Sequence, residues 1–422
     1  MTDGTATAGT AAAAGTAKDL QDERLIQATG PRQALSATIG RIRDGDLGLL
    51  PVVLGLVVIG VVFQTLNPNF LSSANLVNLL MESVPVGMIA LGLVCVLLVG
   101  EIDLSVGSVS GLSSALTAVL FVDQGLPVWP AVATAVAAGA VIGFVYAQVF
   151  IRFGVPSFVI TMAGLLAFLG LQLKVLGADG SINLPFDSGL VGFAQLKFVP
   201  AWLSYVLVAV TAAGLFAGGY LKARERRAAG LSGRSTAVLA ARSVALLAGF
   251  GAVVWYLNRA RGVGWMFVLF VVLVLLLNYA LTRTRWGKSV YAVGGNVEAA
   301  RRAGINVHAV YTTVFMLGTA LAASGGVLAA ARLAAANQST GGGDVNLNAI
   351  AAVVIGGTSL FGGRGSAFAA LLGILVIQSI SSGLTLLNLD SAYRFAVTGV
   401  VLLLAVILDS VARRSRASRG RA

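Results

Sequence analysis

Runs of about twenty almost uninterrupted apolar residues recur in this chain from Leu47 nearly to its C-terminal end. A helix needs about 20 such residues to cross a hydrocarbon core of roughly 30 Å, so the runs call for a bilayer as the main solvent. Segments such as Met266–Leu277 are apolar at every position. That pattern argues against a membrane barrel, whose strands alternate lipid-facing and lumen-facing residues. Charged residues make up only 11% of the 422, against about 25% in soluble domains. The sequence therefore predicts an all-α fold, a polytopic membrane helical bundle.

Apolar segments fall at about 47–66, 84–100, 104–122, 127–151, 155–177, 199–221, 237–257, 263–282, 309–331, 347–361, 366–387 and 391–409. The pairs 84–100/104–122 and 347–361/366–387 are joined by very short glycine-containing connections. Those connections are either tight turns or breaks in re-entrant helices, so the expected number of transmembrane segments is between about 10 and 12. The stretch Leu71–Met81, with Asn75 and Asn78 among leucines, reads as amphipathic and is expected at the outer interface. Two patterns of small residues, Gly107 with Gly111 and Gly214 with Gly218, would let helix backbones approach closely in lipid.

The formal charge of +12 sits in short clusters between the apolar runs, which fits membrane topology better than a nucleic-acid surface. With both termini cytoplasmic, every Lys and Arg lies inside except Lys174, Lys197, Arg259, Arg261, Arg332 and Arg394, as the positive-inside rule prefers. Residues 1–46 read as a polar, mostly disordered cytoplasmic tail with no cleavable signal. Residues 47–410 form the transmembrane domain, and 411–422 a basic cytoplasmic tail. Cys95 is the sole cysteine and His308 the sole histidine, so one chain offers neither a disulfide nor a Cys/His metal site. Cys95 is read as packing. The five tryptophans fall near segment ends, as interfacial anchors do.

Three motifs interrupt the apolar pattern. In the first, Gly100 to Ser108, Glu101, Asp103 and Ser105 break an apolar stretch. Carboxylates in hydrocarbon are expensive, so Glu101 and Asp103 face protein or a water-filled path. Asp103 either caps the next helix through the amides near Ser105 and Val106 or serves the pathway directly.

The second motif is the basic loop 283–308. Gly294-Gly295 reads as a turn, Asn296 as the cap of a short helix with Glu298 in its first turn, Arg301 and Arg302 near its end, and Gly304 as its stop. Such a helix, held between two spans, suits docking in a groove on a cytoplasmic partner; the alternative is an ordinary positive-inside loop. Gly287-Lys288-Ser289 lacks the first glycine of a phosphate-binding loop, since position 282 is Thr. The third motif, 355–366, is glycine-rich. Gly356, Gly357, Thr358 and Ser359 offer either a substrate pathway or gate of freed amides and hydroxyls, or a plain connecting hairpin.

Gly-Glu-Ile-Asp-Leu-Ser-Val-Gly-Ser at 100–108, Tyr-Ala-Val-Gly-Gly-Asn-Val-Glu-Ala-Ala-Arg-Arg-Ala-Gly-Ile-Asn-Val at 291–307 and Gly-Gly-Thr-Ser-Leu-Phe-Gly-Gly-Arg-Gly at 356–365 occur in the order seen in one family. Over about 47–410 the chain resembles the monosaccharide permeases of ATP-binding-cassette importers, the ribose/xylose/galactose branch. That family commonly has Gly-Gly before Ile-Asp-Leu-Ser, where this chain has Gly100-Glu101.

The resemblance implies a homodimeric or pseudo-dimeric permease in the cell membrane, with the second copy helping to form the translocation path. It also implies a separate cytoplasmic ATPase carrying ATP and Mg, with no cofactor on this chain, and an extracytoplasmic sugar-binding protein. It maps the family's coupling helix onto Asn296, Glu298, Ala299, Arg301, Arg302 and Gly304. An additional apolar pair at about 199–257, around the basic loop Lys222–Arg227, resembles the xylose-type members and suggests a xylose-like pentose. A nucleoside or other small polar solute, and a secondary transporter working alone, remain alternatives. A membrane enzyme would need clustered acids, histidines or a nucleophile with its base, and only Glu101 and Asp103 stand near each other.

Overall fold

The structure, a computed structural model, describes residues 50–231, 235–390 and isolated helical positions between 392 and 407. The expected tails at 1–46 and 411–422 lie outside the described residues, as does most of the segment at 391–409. Among the described residues, nine helices are long and apolar enough to cross a membrane. The chain is an all-α polytopic membrane bundle.

In chain order the helices are α1 (Leu50–Leu66), α2 (Ser73–Leu98), α3 (Val106–Ala118), α4 (Val128–Phe153), α5 (Ser157–Leu176), α6 (Gly189–Gln195), α7 (Ala201–Ala228), α8 (Thr236–Leu257), α9 (Trp265–Arg283), α10 (Arg285–Gly295), α11 (Val297–Arg302), α12 (Val307–Leu333), α13 (Gly343–Ile355) and α14 (Phe368–Leu386). A π-helical turn, Val119–Asp123, prolongs α3. Two three-residue strands, β1 (Ser181–Asn183) and β2 (Ala335–Asn337), pair antiparallel with Ile182 opposite Ala336.

Contacts divide the chain into two units, one of residues 47–201 and 255–422 and one containing 202–254. In the second, α7 and α8 meet where Gly219 faces Leu239. Gly214 and Gly218 have open space around them, so that small-residue pattern makes no close helix contact here.

In the larger unit α12 is the central post, packed against α4, α2 and α3. Lipid supplies no hydrophobic force between helices, so close backbone approach has to hold them together. Gly139 and Gly143 of α4 press on the Thr319 and Phe315 carbonyls of α12, and Gly92 of α2 meets the Gly318 carbonyl. The apolar core around Met88, Leu91, Val94, Phe270 and Phe315 lies among these helices and α9.

Helix α2 starts eleven residues before the second apolar run, at Ser73 rather than 84. Residues 73–81 of the stretch read as amphipathic thus form the opening turns of a 26-residue span, with Ser72 as its cap. Its polar residues are partnered sideways. Asn75 Nδ2 donates to the Phe70 carbonyl at 2.7 Å, Ser382 Oγ donates to Asn75 Oδ1 at 3.2 Å, and Arg261 donates to Asn78. Helix α13 has 13 residues, about 20 Å of rise, too short to cross alone. That matches a broken or re-entrant element.

The same contacts define two ends of the larger unit. The start of α2 and the finish of α14 share one end, through Ser382 with Asn75 and Asn67 with the Leu386 carbonyl. The finish of α2, the connection 356–367 and α10 share the other.

Candidate functional site

Helix α2 ends at Leu98 with Val99 as its cap, and Gly100 turns the chain with a left-handed φ of 83°. The seven residues from there to α3 carry no regular structure, so their backbone groups need partners from elsewhere. Side chains supply several. Ser157 Oγ accepts from the Ile102 amide at 3.3 Å and Thr161 Oγ1 from the Leu104 amide at 3.1 Å, both from α5. From α13, Asn346 Nδ2 donates to the Leu104 carbonyl at 2.6 Å, and its Oδ1 accepts from the Gly107 amide at 2.5 Å. Gly107 and Gly111 leave room on α3 for Asn346 and Gln172; the α3 small-residue pattern is therefore a true close-contact face.

Asp103 and Ser105 are fully buried in this connection. Asp103 Oδ1 accepts from the Ser105 amide at 2.8 Å and from Ser105 Oγ at 2.7 Å, closing a local turn at the start of α3. Its Oδ2 is buried without a hydrogen-bond partner. Burial pushes the Asp103 carboxyl up to about 6, against the lowering effect of the Ser105 side chain and amide. Burial also raises the Glu101 carboxyl, opposed by the Ser157 and Tyr311 hydroxyls.

Asp103→Asn keeps an Oδ1 acceptor for both bonds and is expected to preserve folding and transport. Asp103→Leu leaves a buried amide without its acceptor and is expected to cost about 1–3 kcal/mol. Thermal melts of the detergent-purified variants, with uptake in vesicles, check this. Abolished transport in a stable Asp103→Asn protein would show that the negative charge itself is needed.

The loop 283–308 folds into two helices. The expected turn at Gly294-Gly295 is the last turn of α10, and the chain changes direction one residue later at Asn296. Asn296 Oδ1 accepts from the Ala299 amide at 2.9 Å and caps α11. Glu298 and Arg301 form an exposed pair at 2.8 Å. Arg302 completes the last turn of α11, and Gly304, with φ 80°, ends the element. Helix α10 is held near its start and near its middle. Trp286 Nε1 donates to Thr313 Oγ1 of α12 at 2.8 Å, and Tyr291 Oη donates to the Gly365 carbonyl at 2.8 Å.

The structure brings parts of all three sequence motifs together. The Gly363 amide donates to the Leu98 carbonyl at 2.9 Å. Gly294 packs directly on that same carbonyl, and a Cβ on Gly362 would fall 2.7 Å from the Gly294 carbonyl and 2.9 Å from the Gly100 amide. Backbone therefore touches backbone among the end of α2, the end of α10 and the glycine-rich connection. Within that connection Gly356 abuts the Ala369 carbonyl and Gly357 adopts φ 97°. Thr358 and Ser359 are buried, and Ser359 Oγ accepts from the Phe361 amide at 3.2 Å.

These buried hydroxyls face the connection's own fold. Asn346, Ser157, Thr161 and Gln172 were not singled out from the sequence; the available signal was a lone polar side chain inside an apolar run. Among the described residues no group of three or more His, Cys, Asp or Glu is placed to hold a metal ion.

The bundle thus carries a break between α2 and α3 stitched by side chains and, at the same end, a capped short helix. Residues 75–406 match the family described as branched-chain amino acid transport system / permease component, and the chain belongs to that family. It is 34% identical over 378 residues to the xylose transport system permease protein XylH of Escherichia coli (strain K12), covering 88% of this chain and 94% of the relative. It is 32% identical over 375 residues to the protein of the same title from Haemophilus influenzae, covering 88% and 98%. To the ribose import permease protein RbsC of Bacillus subtilis (strain 168) it is 33% identical over 366 residues, covering 87% and 94%. No solved structure matches it significantly.

Proposed function

We propose that this chain is the membrane permease of an ATP-binding-cassette importer for a monosaccharide, a xylose-like pentose by preference, and that two copies form the translocation path. A binding protein outside the membrane delivers the sugar, and a separate ATPase in the cytoplasm drives the cycle. The observation that carries this reading is the near full-length similarity to relatives titled as xylose and ribose permeases. The family description names a different solute class, branched-chain amino acids, so the choice of sugar rests on those relatives. Helices α7 and α8 are two long apolar helices; the basic run Lys222–Arg227, expected as a loop, forms the last turns of α7, and this additional pair supports the xylose-like choice.

In this reading the α10–α11 end is cytoplasmic, along with both termini, and Asn296, Glu298, Ala299, Arg301, Arg302 and Gly304 form the docking element. A push on α11 passes through α10 to the Gly294 contact, and from there to Gly362-Gly363 and to Gly100. Gly100 leads into Glu101, Asp103 and Ser105, while Gly356, Gly357, Thr358 and Ser359 lie in the partner connection. The pathway opens and closes as these two breaks shift.

The Glu298–Arg301 pair is exposed, and such pairs contribute about 0.2–1 kcal/mol to stability. Replacing both with Gln is expected to leave assembly and melting temperature close to wild type. ATP-driven uptake is expected to fall roughly 5- to 30-fold, the factor that goes with one or two kcal/mol of lost docking energy. Full uptake in the double variant would refute docking at α11.

A further inference from the structure

Glu82 is an acidic side chain nine residues into the membrane-spanning α2, about 14 Å along its axis. Gln378 Nε2 of α14 donates to Glu82 Oε2 at 2.9 Å. Arg332, in the last turn of α12, places Nη2 at 3.9 Å from Glu82 Oε1. The polar positions of α2, Asn75, Asn78 and Glu82, are spaced by three and four and share one helix face. Helix α14 presents Gln378 and Ser382 four apart, each bonded to one of them. A polar stripe thus runs along the α2–α14 contact, inward from the end opposite α10.

Two features distinguish this cluster from polar glue between helices. The Glu82 side chain keeps 47% of its exposure and that of Arg332 keeps 26%, so the stripe has an open side. Arg332 Nε is also buried without a hydrogen-bond partner. Ionised groups at this depth are tolerated where they face a water-filled path or protein rather than lipid. The cluster combines a carboxylate that accepts with an amide and a guanidinium that donate, the complement that vicinal hydroxyls need, since each O–H both donates and accepts. A cavity of about 740 Å³ in the same unit, beside Met88, Trp129, Phe193 and Leu273, offers little of this chemistry.

We propose that Glu82, Arg332 and Gln378 form a hydroxyl-binding station for the transported solute at the end of the bundle opposite α10. This rests on the reading of the chain as a sugar permease. Glu82 would accept from two neighbouring hydroxyls, while Gln378 and Arg332 turn from Glu82 to the sugar oxygens.

The test uses the permease reconstituted in proteoliposomes with its ATPase and binding protein, with radiolabelled D-xylose and D-ribose as probes. In Glu82→Gln and Gln378→Leu, sugar moved per ATP hydrolysed is expected to fall roughly tenfold or more, the factor that goes with losing one hydrogen bond to a charged group. Binding-protein-stimulated ATP hydrolysis and melting temperature stay near wild type.

An unchanged ratio would overturn the station, as would uptake and hydrolysis falling together with a lowered melting temperature. A disulfide joining two copies through Gln378→Cys would also overturn it, by assigning this face to the second copy. A wild-type complex that hydrolyses ATP but moves neither pentose would remove the sugar reading itself, and the station with it. Failure of the variants alone to show an effect would leave that reading standing.

Discussion

A Gly294→Val permease is expected to lose ATP-driven uptake and to melt well below the wild type, whereas Gly295→Ala is expected to behave almost normally. The two glycines are adjacent on α10 and equivalent in any propensity argument. They differ in what surrounds them. A Cβ on Gly294 would overlap the Leu98 carbonyl oxygen and fall 2.7 Å from the Gly363 amide, whereas one on Gly295 would meet nothing within 4 Å. Both obstacles at Gly294 are backbone atoms, so no change of rotamer relieves them. The amide and carbonyl concerned are also bonded to each other at 2.9 Å, and the new side chain would wedge that bond apart. Overpacking costs about 1–3 kcal/mol and occasionally more; at a backbone-to-backbone contact the upper figure applies, roughly a hundredfold in an equilibrium. Thermal melts in detergent and vesicle uptake, run on both variants, check it. Equal behaviour of the two would show that the Gly294 contact carries neither stability nor coupling.

Asn346→Leu is expected to be the second severe change. One side chain holds the Leu104 carbonyl and the Gly107 amide on either side of the start of α3. Leu fills a similar volume and is at home in lipid, so hydropathy alone would rate the replacement as an improvement. It leaves two backbone groups in a buried connection without partners, at about 1–3 kcal/mol each. Interhelical side-chain bonds in membranes average nearer 0.6 kcal/mol, because polar groups find substitutes. The nearby Asp103 carboxylate only accepts, so even its unpartnered Oδ2 cannot replace the donor on the Leu104 carbonyl. The expected loss is about 2–4 kcal/mol, read as a lower melting temperature and faster proteolysis of the 99–105 connection. Asn346→Asp keeps the acceptor for Gly107 and loses the donor to Leu104, and so should fall between the two.

The sequence made the long spans legible because a bilayer imposes a length and a polarity on any helix that crosses it. It mislaid the start of α2 because Asn75, Asn78 and Glu82 interrupt the apolar run, and only the facing Ser382, Arg261 and Gln378 show how those groups are tolerated. Helix α11 was legible in detail as a helix: Asn296, Glu298, Arg301, Arg302 and Gly304 are local signals, and each acts within its own turn. Gly294-Gly295 misled for the opposite reason. Glycine serves a turn or a close approach equally well, and the partners that distinguish the two, Leu98 and Gly363, are far away in the chain. The meeting of the three motifs at one end was likewise beyond a reading of each motif by itself.

The central claim is that the chain conducts a solute only when driven through α11 by another protein. Uptake of labelled D-xylose and D-ribose into proteoliposomes measures this directly, with the permease alone or joined by its ATPase and binding protein. The expected result is no accumulation by the permease alone under any ion gradient, and ATP-dependent accumulation by the complete assembly. Gradient-driven accumulation by the permease alone would contradict the account and identify a secondary transporter.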